Sequence, residues 1–333
     1  MNNTALALPF DSSRVLDESQ WIDHPSGYLA LSPRNQRFTH PSARGFVSYR
    51  VQGKHLAMFG GVHAPPEERG ALLDAFLAQA EFRRREVIVV QMRASQIALF
   101  EQRGFVINQF GTSYGIDLRR FNLRGTAKMQ LRNKINRARK LGLRIAEVGC
   151  EYPRNEQTFA RLRAISAEWM RRKGKELDFM VGELGDPDQT ARRIFTVVTD
   201  ASDVIGFITY VPSFGEKPGY LHDLTRRIVS SPPGAMELCN QFAIERMAAE
   251  GVPYLHFGFT PFITSAAEPP SANRLVAWAI RQVRKHGSLV YPAESQAQYK
   301  LKWGPDIIES EYLAARPMSL RAIIDLLMLT KAL

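Results

Sequence analysis

Two cysteines in 333 residues, Cys150 and Cys239, are too few for a disulfide framework. They fit a reducing compartment, where a buried thiol is simply a small apolar side chain. No apolar run approaches the ~18–20 residues that cross a bilayer. Met1 to Asp11 lacks the basic region and following apolar stretch of a signal peptide. The expectation is a soluble, cytoplasmic protein. The few histidines and two cysteines show no metal-ligand spacing, and no Ser-His-Asp arrangement can be argued from spacing. Apolar residues at 45% and charged residues at 23% exclude a disordered chain or a collagen-like repeat and describe a packed globular protein.

The most informative absence is local. From Arg119 to Arg144 there is no Asp or Glu, but there are ten basic residues: Arg119, Arg120, Arg124, Lys128, Arg132, Lys134, Arg137, Arg139, Lys140 and Arg144. The whole chain carries 44 Lys and Arg against 33 Asp and Glu, a net charge of +11; without this stretch the balance is 34 against 33, or +1. The surplus is therefore one located feature. Thr126 is a plausible N-cap and Gly142 a plausible C-cap, and Leu131, Ile135 and Ala138 recur at helical spacing between them. The spacing predicts an amphipathic helix with a narrow apolar stripe and a wide cationic face. A solvated surface helix normally mixes charge signs, because i,i+4 Glu–Lys pairs stabilise it, whereas unneutralised cations repel. A polyanion such as nucleic acid is the expected partner. The apolar stripe is small and lacks bulky aromatics, which argues against this helix inserting into a membrane.

On either side the chain reads as α/β. Residues 45–62 predict two strands around a turn at Gln52-Gly53, 67–83 a helix, 86–92 a buried strand, 96–103 a short helix and 105–118 a strand. The order recurs with strands at 196–199, 204–212 and 219–224, a helix at 234–250, a strand at 254–258 and a helix at 272–286. This gives an N-terminal half over 1–125, a basic connecting helix over 126–150 and a C-terminal half over 151–333.

Four stretches resemble one known family, the C-terminal catalytic domain of phosphatidylglycerol lysyltransferases and alanyltransferases, over about Gly45 to Tyr312. They are Leu131–Gly142 (LRNKINRARKLG), Trp169–Gly182 (WMRRKGKELDFMVG), Leu221–Arg226 (LHDLTR) with the helix after Gly234, and Tyr299–Pro305 (YKLKWGP). Their order and spacing carry the resemblance. It implies two acetyltransferase-like (GNAT) domains in tandem, joined by the basic helix, and transfer of an aminoacyl group from an aminoacyl-tRNA. The tRNA is then the polyanion met by Lys128, Arg132, Lys134, Arg137, Arg139 and Lys140. Acetyl-CoA is not expected as a cofactor: its diphosphate needs backbone N–H groups at a Gly-rich helix start, and here Pro232 and Pro233 remove two of them just before Gly234.

The resemblance assigns Asp223 to hold the acceptor or the aminoacyl ammonium and to take a proton, and Arg226 to orient Asp223 or contact the tRNA end. Lys300 and Lys302, read as alternating along a strand, would share one face and meet an anion or a developing oxyanion. Glu176 and Phe179 match the second motif as substrate contacts, although Glu176 equally suits a surface pair with Lys173. His222 is a candidate base or substrate contact beside Asp223, although on a strand its side chain would face the opposite way. The stretch 289–298 lacks the acidic and aromatic-Asn pattern of lipid-modifying members. The expected acceptor is therefore the amine or hydroxyl of a small molecule in specialised-metabolite (antibiotic) biosynthesis, with phosphatidylglycerol as the alternative acceptor and a non-catalytic RNA-binding module as the alternative from another class. Residues 319–333 are rich in Leu, Ile and Met and predict a docked helix or one lying on a membrane.

Overall fold

The computed structural model describes residues 17–173, 178–286 and 293–331. Eleven strands form one sheet: β1 (Gln36–His40), β2 (Ala43–Gln52), β3 (His55–His63), β4 (Glu86–Arg93), β5 (Val106–Asp117), β6 (Arg144–Glu147), β7 (Arg193–Val198), β8 (Val204–Ser213), β9 (Gly219–Arg227), β10 (Tyr254–Pro261) and β11 (Ile307–Arg316). The helices are α1 (Arg69–Phe82), α2 (Ile97–Glu101), α3 (Met129–Lys140), α4 (Glu156–Lys173), α5 (Ala235–Ala249), α6 (Arg274–His286), α7 (Ala293–Leu301) and α8 (Leu320–Leu329). The β-branched run at Glu86–Arg93 is buried along almost its whole length, as a strand covered on both faces must be.

The two halves share a plan. In each, a parallel strand pair is bridged by a crossover helix: β3–α1–β4 in the first and β9–α5–β10 in the second. The sheet order is β1-β2-β3-β4-β11-β5-β10-β9-β8-β7-β6. Thus β11, from the end of the chain, lies between β4 and β5, while β5 lies between β11 and β10. Each half lends its last strand to the other. The expected boundaries at 125 and 150 do not separate the halves, because β11 pairs with β4 from Glu311↔Arg93 to Arg316↔Val87 and with β5 from Ile307↔Gly115 to Ala315↔Val106.

The basic helix forms, and Leu131, Ile135 and Ala138 are its buried stripe, packed against α5. Thr126 is not its N-cap: residues 126–128 make a 3-10 turn, and the α-helix starts at Met129 with Lys128 in the capping position. Gly142 takes φ +74, the left-handed conformation of a helix C-terminus. Gly234, the residue before α5, has φ +92, and a Cβ there would lie 2.2 Å from the Lys134 carbonyl oxygen. The backbone of α3 therefore rests on the first turn of α5, and only glycine permits it.

A contrast with Gly251 isolates that contact. Gly251 also has positive φ (+79), but nothing lies within 4 Å of where its Cβ would be. Both Gly→Ala variants carry backbone strain of about 1 kcal/mol or more. Gly234→Ala also clashes with α3 and should lower the urea midpoint clearly further than Gly251→Ala; equal midpoints would show that α3 yields without cost.

Candidate functional site at the splayed strands

The strands β9 and β10 pair only over Gly219–Leu221 and Tyr254–His256. Beyond that they separate, helped by a bulge at His256/Gly258 in β10 and one in β9, where Asp223 and Leu224 together oppose Thr209 of β8. The site residues of β9, His222 to Arg226, lie on the separated part. Their side chains serve opposite faces of the sheet.

On one face, Asp223 accepts from the Gly182 backbone N–H (2.9 Å) and from Arg192 Nη1 (2.5 Å), with both side chains of the ion pair buried. A Cβ on Gly182 would lie 2.0 Å from Asp223 Oδ2, so the glycine of the second motif is there to let the carboxylate reach the backbone. The cation that holds Asp223 is Arg192, a residue the sequence did not single out. Nothing in its local pattern marks it, because its partner is 31 positions away. Arg226 is buried and donates to the Thr225 carbonyl at 3.2 Å. Gly182, whose N–H Asp223 accepts, and Leu224 line a cleft of about 330 Å³. Its walls include Ala167 and Met170 of α4, Gly182, Leu184 and Leu224, and its rim carries Arg34, Arg163, Asp178 and Lys331. The Asp178 carboxyl is held at about 2, below its usual range: burial opposes ionisation, but Arg50, the Phe179 N–H and Lys331 outweigh it. Phe179 has φ +66 and is buried against Phe59 (ring centroids 5.7 Å), so its ring belongs to the apolar core rather than to the cleft. Glu176 lies outside the described residues.

On the other face, His222 shares Asn240 with Tyr210: its Nδ1 is 3.2 Å from Asn240 Oδ1, and the Tyr210 hydroxyl donates to the same oxygen at 2.6 Å. His222 Nε2 lies 2.7 Å from Thr225 Oγ1. Burial, reinforced by Lys300 and Lys302, pushes the imidazole down to about 3. At neutral pH it is uncharged and too weakly basic for proton abstraction.

Lys300 and Lys302 do not sit on a strand. Ala293–Leu301 is a helix, in keeping with its Ala, Glu and Gln content, and Lys302 follows it directly. Two residues apart on a helix point in different directions. The Lys300 ammonium is buried and donates to the carbonyls of Gly258 (2.9 Å) and Phe259 (2.8 Å), on the diverging end of β10. Burial lowers its pKa to about 7, against a raising influence from Glu311. Lys302 instead pairs with Glu237 of α5 (2.8 Å) and lies 3.8 Å from the Tyr299 ring centroid. The arrangement thus offers one buried amine poised near neutrality at the strand separation, with a fixed carboxylate on the opposite face.

The cationic helix divides its labour. Lys128 donates to the Trp303 carbonyl (2.6 Å) and lies 4.6 Å from the Phe121 ring centroid; Arg132 donates to the Gly125 carbonyl (2.7 Å); Arg139 donates to Gln241 (3.1 Å). Arg119 and Arg120 pair with Asp117, and Arg120 also with Asp306, acids from outside the run. Lys134, Arg137 and Lys140 are exposed and make no ion pair among the described residues. The fourth motif is explained by the same contacts. Trp303 is fully buried between Phe257 and Phe121, and Gly304 (φ +68) leaves room for the Lys128 ammonium.

The family model for the phosphatidylglycerol lysyltransferase C-terminal region matches residues 16–315. A phosphatidylglycerol lysyltransferase of Staphylococcus xylosus is 26% identical over 187 residues, 56% of this chain and 22% of that protein. One from Staphylococcus aureus is 24% identical over 207 residues, 61% of this chain and 24% of that protein. The chain thus spans about a quarter of the length of these relatives. Among solved structures, L-PGS from Bacillus licheniformis superposes with a TM-score of 0.76 at 19% identity, covering 92% of this chain and 91% of that one. The C-terminal domain of a putative lysylphosphatidylglycerol synthetase from Agrobacterium fabrum gives 0.76 at 18%, covering 95% and 96%. The fold is that of these two domains, with two α/β units in tandem as expected.

Lys300 makes a signed prediction. Its pKa in the folded protein is lower than in the unfolded chain, so between about pH 7 and pH 10 the unfolded state binds more protons. Its contribution to stability therefore rises with pH across that window and is flat below it. The difference in unfolding free energy between wild type and Lys300→Met should grow by about 1 kcal/mol per pH unit there. Urea titrations at pH 7, 8.5 and 10 read this directly; a constant difference would mean that Lys300 titrates normally.

Proposed function

Because the chain belongs to the phosphatidylglycerol lysyltransferase C-terminal family, we propose that it moves an aminoacyl group from an aminoacyl-tRNA to a hydroxyl of phosphatidylglycerol, at the cytoplasmic face of a membrane. The family match over nearly the whole chain carries this reading. It favours the lipid acceptor over a small molecule of specialised metabolism, for which the comparisons offer no support.

An aminoacyl ester is already activated, so the site must align a hydroxyl, accept its proton and stabilise the oxyanion. Lys300 suits the proton and oxyanion tasks, because an amine with a pKa of about 7 exists in both forms at neutral pH. Neutral, it takes the proton of the attacking lipid hydroxyl; charged, it returns one to the leaving ribose oxygen. Asp223, tied to Gly182 and Arg192, is a positioning residue that holds the cleft wall against the separated strands. Lys302 and Glu237 fix the end of α7, and His222 remains a neutral hydrogen-bonding wall. Lys134, Arg137 and Lys140 meet the tRNA backbone, while Lys128, Arg132 and Arg139 support them through their internal contacts. Acetyl-CoA has no part in this reading, since α3 crosses the first turn of α5 where a diphosphate would bind.

The test incubates the protein with mixed radiolabelled aminoacyl-tRNAs and phosphatidylglycerol vesicles and asks where the label goes. Enzyme-dependent label in the lipid extract is expected, with Lys300→Ala lowering turnover at least 100-fold while tRNA binding persists. Label in a water-soluble product alone would restore the small-molecule acceptor. Label that never leaves RNA would make the chain an RNA-binding module.

A separate binding measurement addresses the helix. Changing Lys134, Arg137 and Lys140 together to Gln should weaken tRNA binding and reduce the slope of log K against log salt by roughly 2–3. Unchanged affinity and slope would remove α3 as the tRNA contact.

A further inference from the structure

The last helix is built with its polarity reversed. In α8 the one acidic side chain, Asp325, is buried, while Leu320, Ile324 and Met328 face outward at 74%, 37% and 52% exposure. This orientation is fixed rather than incidental. Asp325 accepts from His55 Nδ1 (2.7 Å) and the Lys54 backbone N–H (3.2 Å), and Ala322, Leu326 and Leu329 pack into the core beside it. Rotating the helix to hide its outer leucine stripe would break these bonds and leave a buried carboxylate unpaired.

A second helix repeats the theme with charge. The outward face of α6 carries Leu275 and Trp278, at 76% and 56% exposure, alongside Arg274, Arg281 and Lys285. The helix contains no acidic residue. Its inner residue Ile280 belongs to the same apolar cluster as the inner residues of α8. The end of α8 also reaches the site, because Lys331 pairs with Asp178 (3.1 Å) and lines the cleft beside Gly182.

Exposed Leu, Ile, Met and Trp flanked by Arg and Lys, with no acid on the outward face of either helix and Glu294 of α7 paired with Arg284 of α6, match the chemistry of an anionic bilayer surface: apolar side chains enter the acyl boundary while cations meet the headgroups. We propose that the outward faces of α8 and α6 form a docking surface for an anionic lipid bilayer, placing the cleft rim at the headgroup level. The choice of occupant rests on the lipid-acceptor reading above. Charge complementarity favours it over a second copy of the chain, since a two-fold contact would set the α6 cations against their own kind.

Flotation of the full chain with vesicles at ~0.15 M salt, where surface charge is screened beyond ~8 Å, tests the docking directly. Vesicles containing phosphatidylglycerol should carry the protein at least fivefold better than pure phosphatidylcholine. The variant Leu320→Ser/Ile324→Ser/Met328→Ser and the variant Leu275→Ser/Trp278→Ser should each lose at least fivefold in bound fraction, with unchanged circular dichroism and melting. Wild type that does not float, or variants that float equally well, would overturn the proposal. So would a wild-type dimer that the α8 variant converts to monomer.

Transfer to a short-chain phosphatidylglycerol below its micelle concentration separates the two readings. Both variants should keep turnover on the monomeric lipid within twofold and lose it on vesicles. Transfer to monomeric lipid without vesicle binding would sink the docking and leave the acceptor standing; vesicle binding without transfer to either lipid would do the reverse.

Discussion

The reciprocal exchange of β5 and β11 is the constraint on which the rest of the molecule depends. Backbone hydrogen bonds between these two long strands, and from each to the other half's sheet, turn two modest α/β units into one sheet of eleven strands. Neither half can complete its sheet without the other, so an unpaired edge in the middle of the molecule is avoided only in the full chain. The exchange also sets the site. Since β5 takes the place beside β10 on one side, β10 is free to diverge from β9 on the other, and the divergence exposes the Gly258 and Phe259 carbonyls that hold Lys300.

The cationic helix is a structural brace as well as a charged surface. Through Lys128 it fixes the Trp303-Gly304 turn, and through the Lys134 carbonyl it rests on Gly234. Two distant points of the C-terminal half, the start of α5 and the end of α7, are thereby tied to the same helix. Half of the six residues expected to reach a polyanion are spent on these internal contacts. The charge surplus of the sequence overstates the free surface charge for that reason, and because Asp117 and Asp306 fold back onto Arg119 and Arg120. Of those six, Lys134, Arg137 and Lys140 remain, a compact group along about one turn and a half of helix, with the exposed Arg124 and Arg144 beyond its two ends.

Local order was legible in the sequence, and long-range order was not. The strand at Glu86–Arg93, the helix at Ala235–Ala249 and the stripe Leu131–Ile135–Ala138 follow from periodicity, because the burial that stabilises each element is written along it. The strand exchange is invisible, because β11 carries no mark of which edge it joins. The same divide runs through the site. Asp223 and His222 were placed on opposite faces from strand alternation alone, and they do serve opposite faces. Arg192 went unnoticed because a buried ion pair between residues 31 apart has no local signature. Lys300 and Lys302 alternate with Leu301 and Trp303 and so mimic a strand, whereas the Ala-Glu-Ser-Gln-Ala-Gln run before them makes a helix.

The two faces of the separated strands place different demands on their charges. Asp223 is held by an arginine and a backbone N–H, so its geometry is fixed. Among the described residues Lys300 hydrogen-bonds to two neutral carbonyls, and burial outweighs the attraction of Glu311, so its positive charge is expensive. A group that must exchange protons at neutral pH needs the second kind of environment, and a group that must hold a wall in place needs the first. The contrast between the partners of these two side chains, more than their presence in a motif, is what supports the proposed division of chemistry at Lys300 from positioning at Asp223.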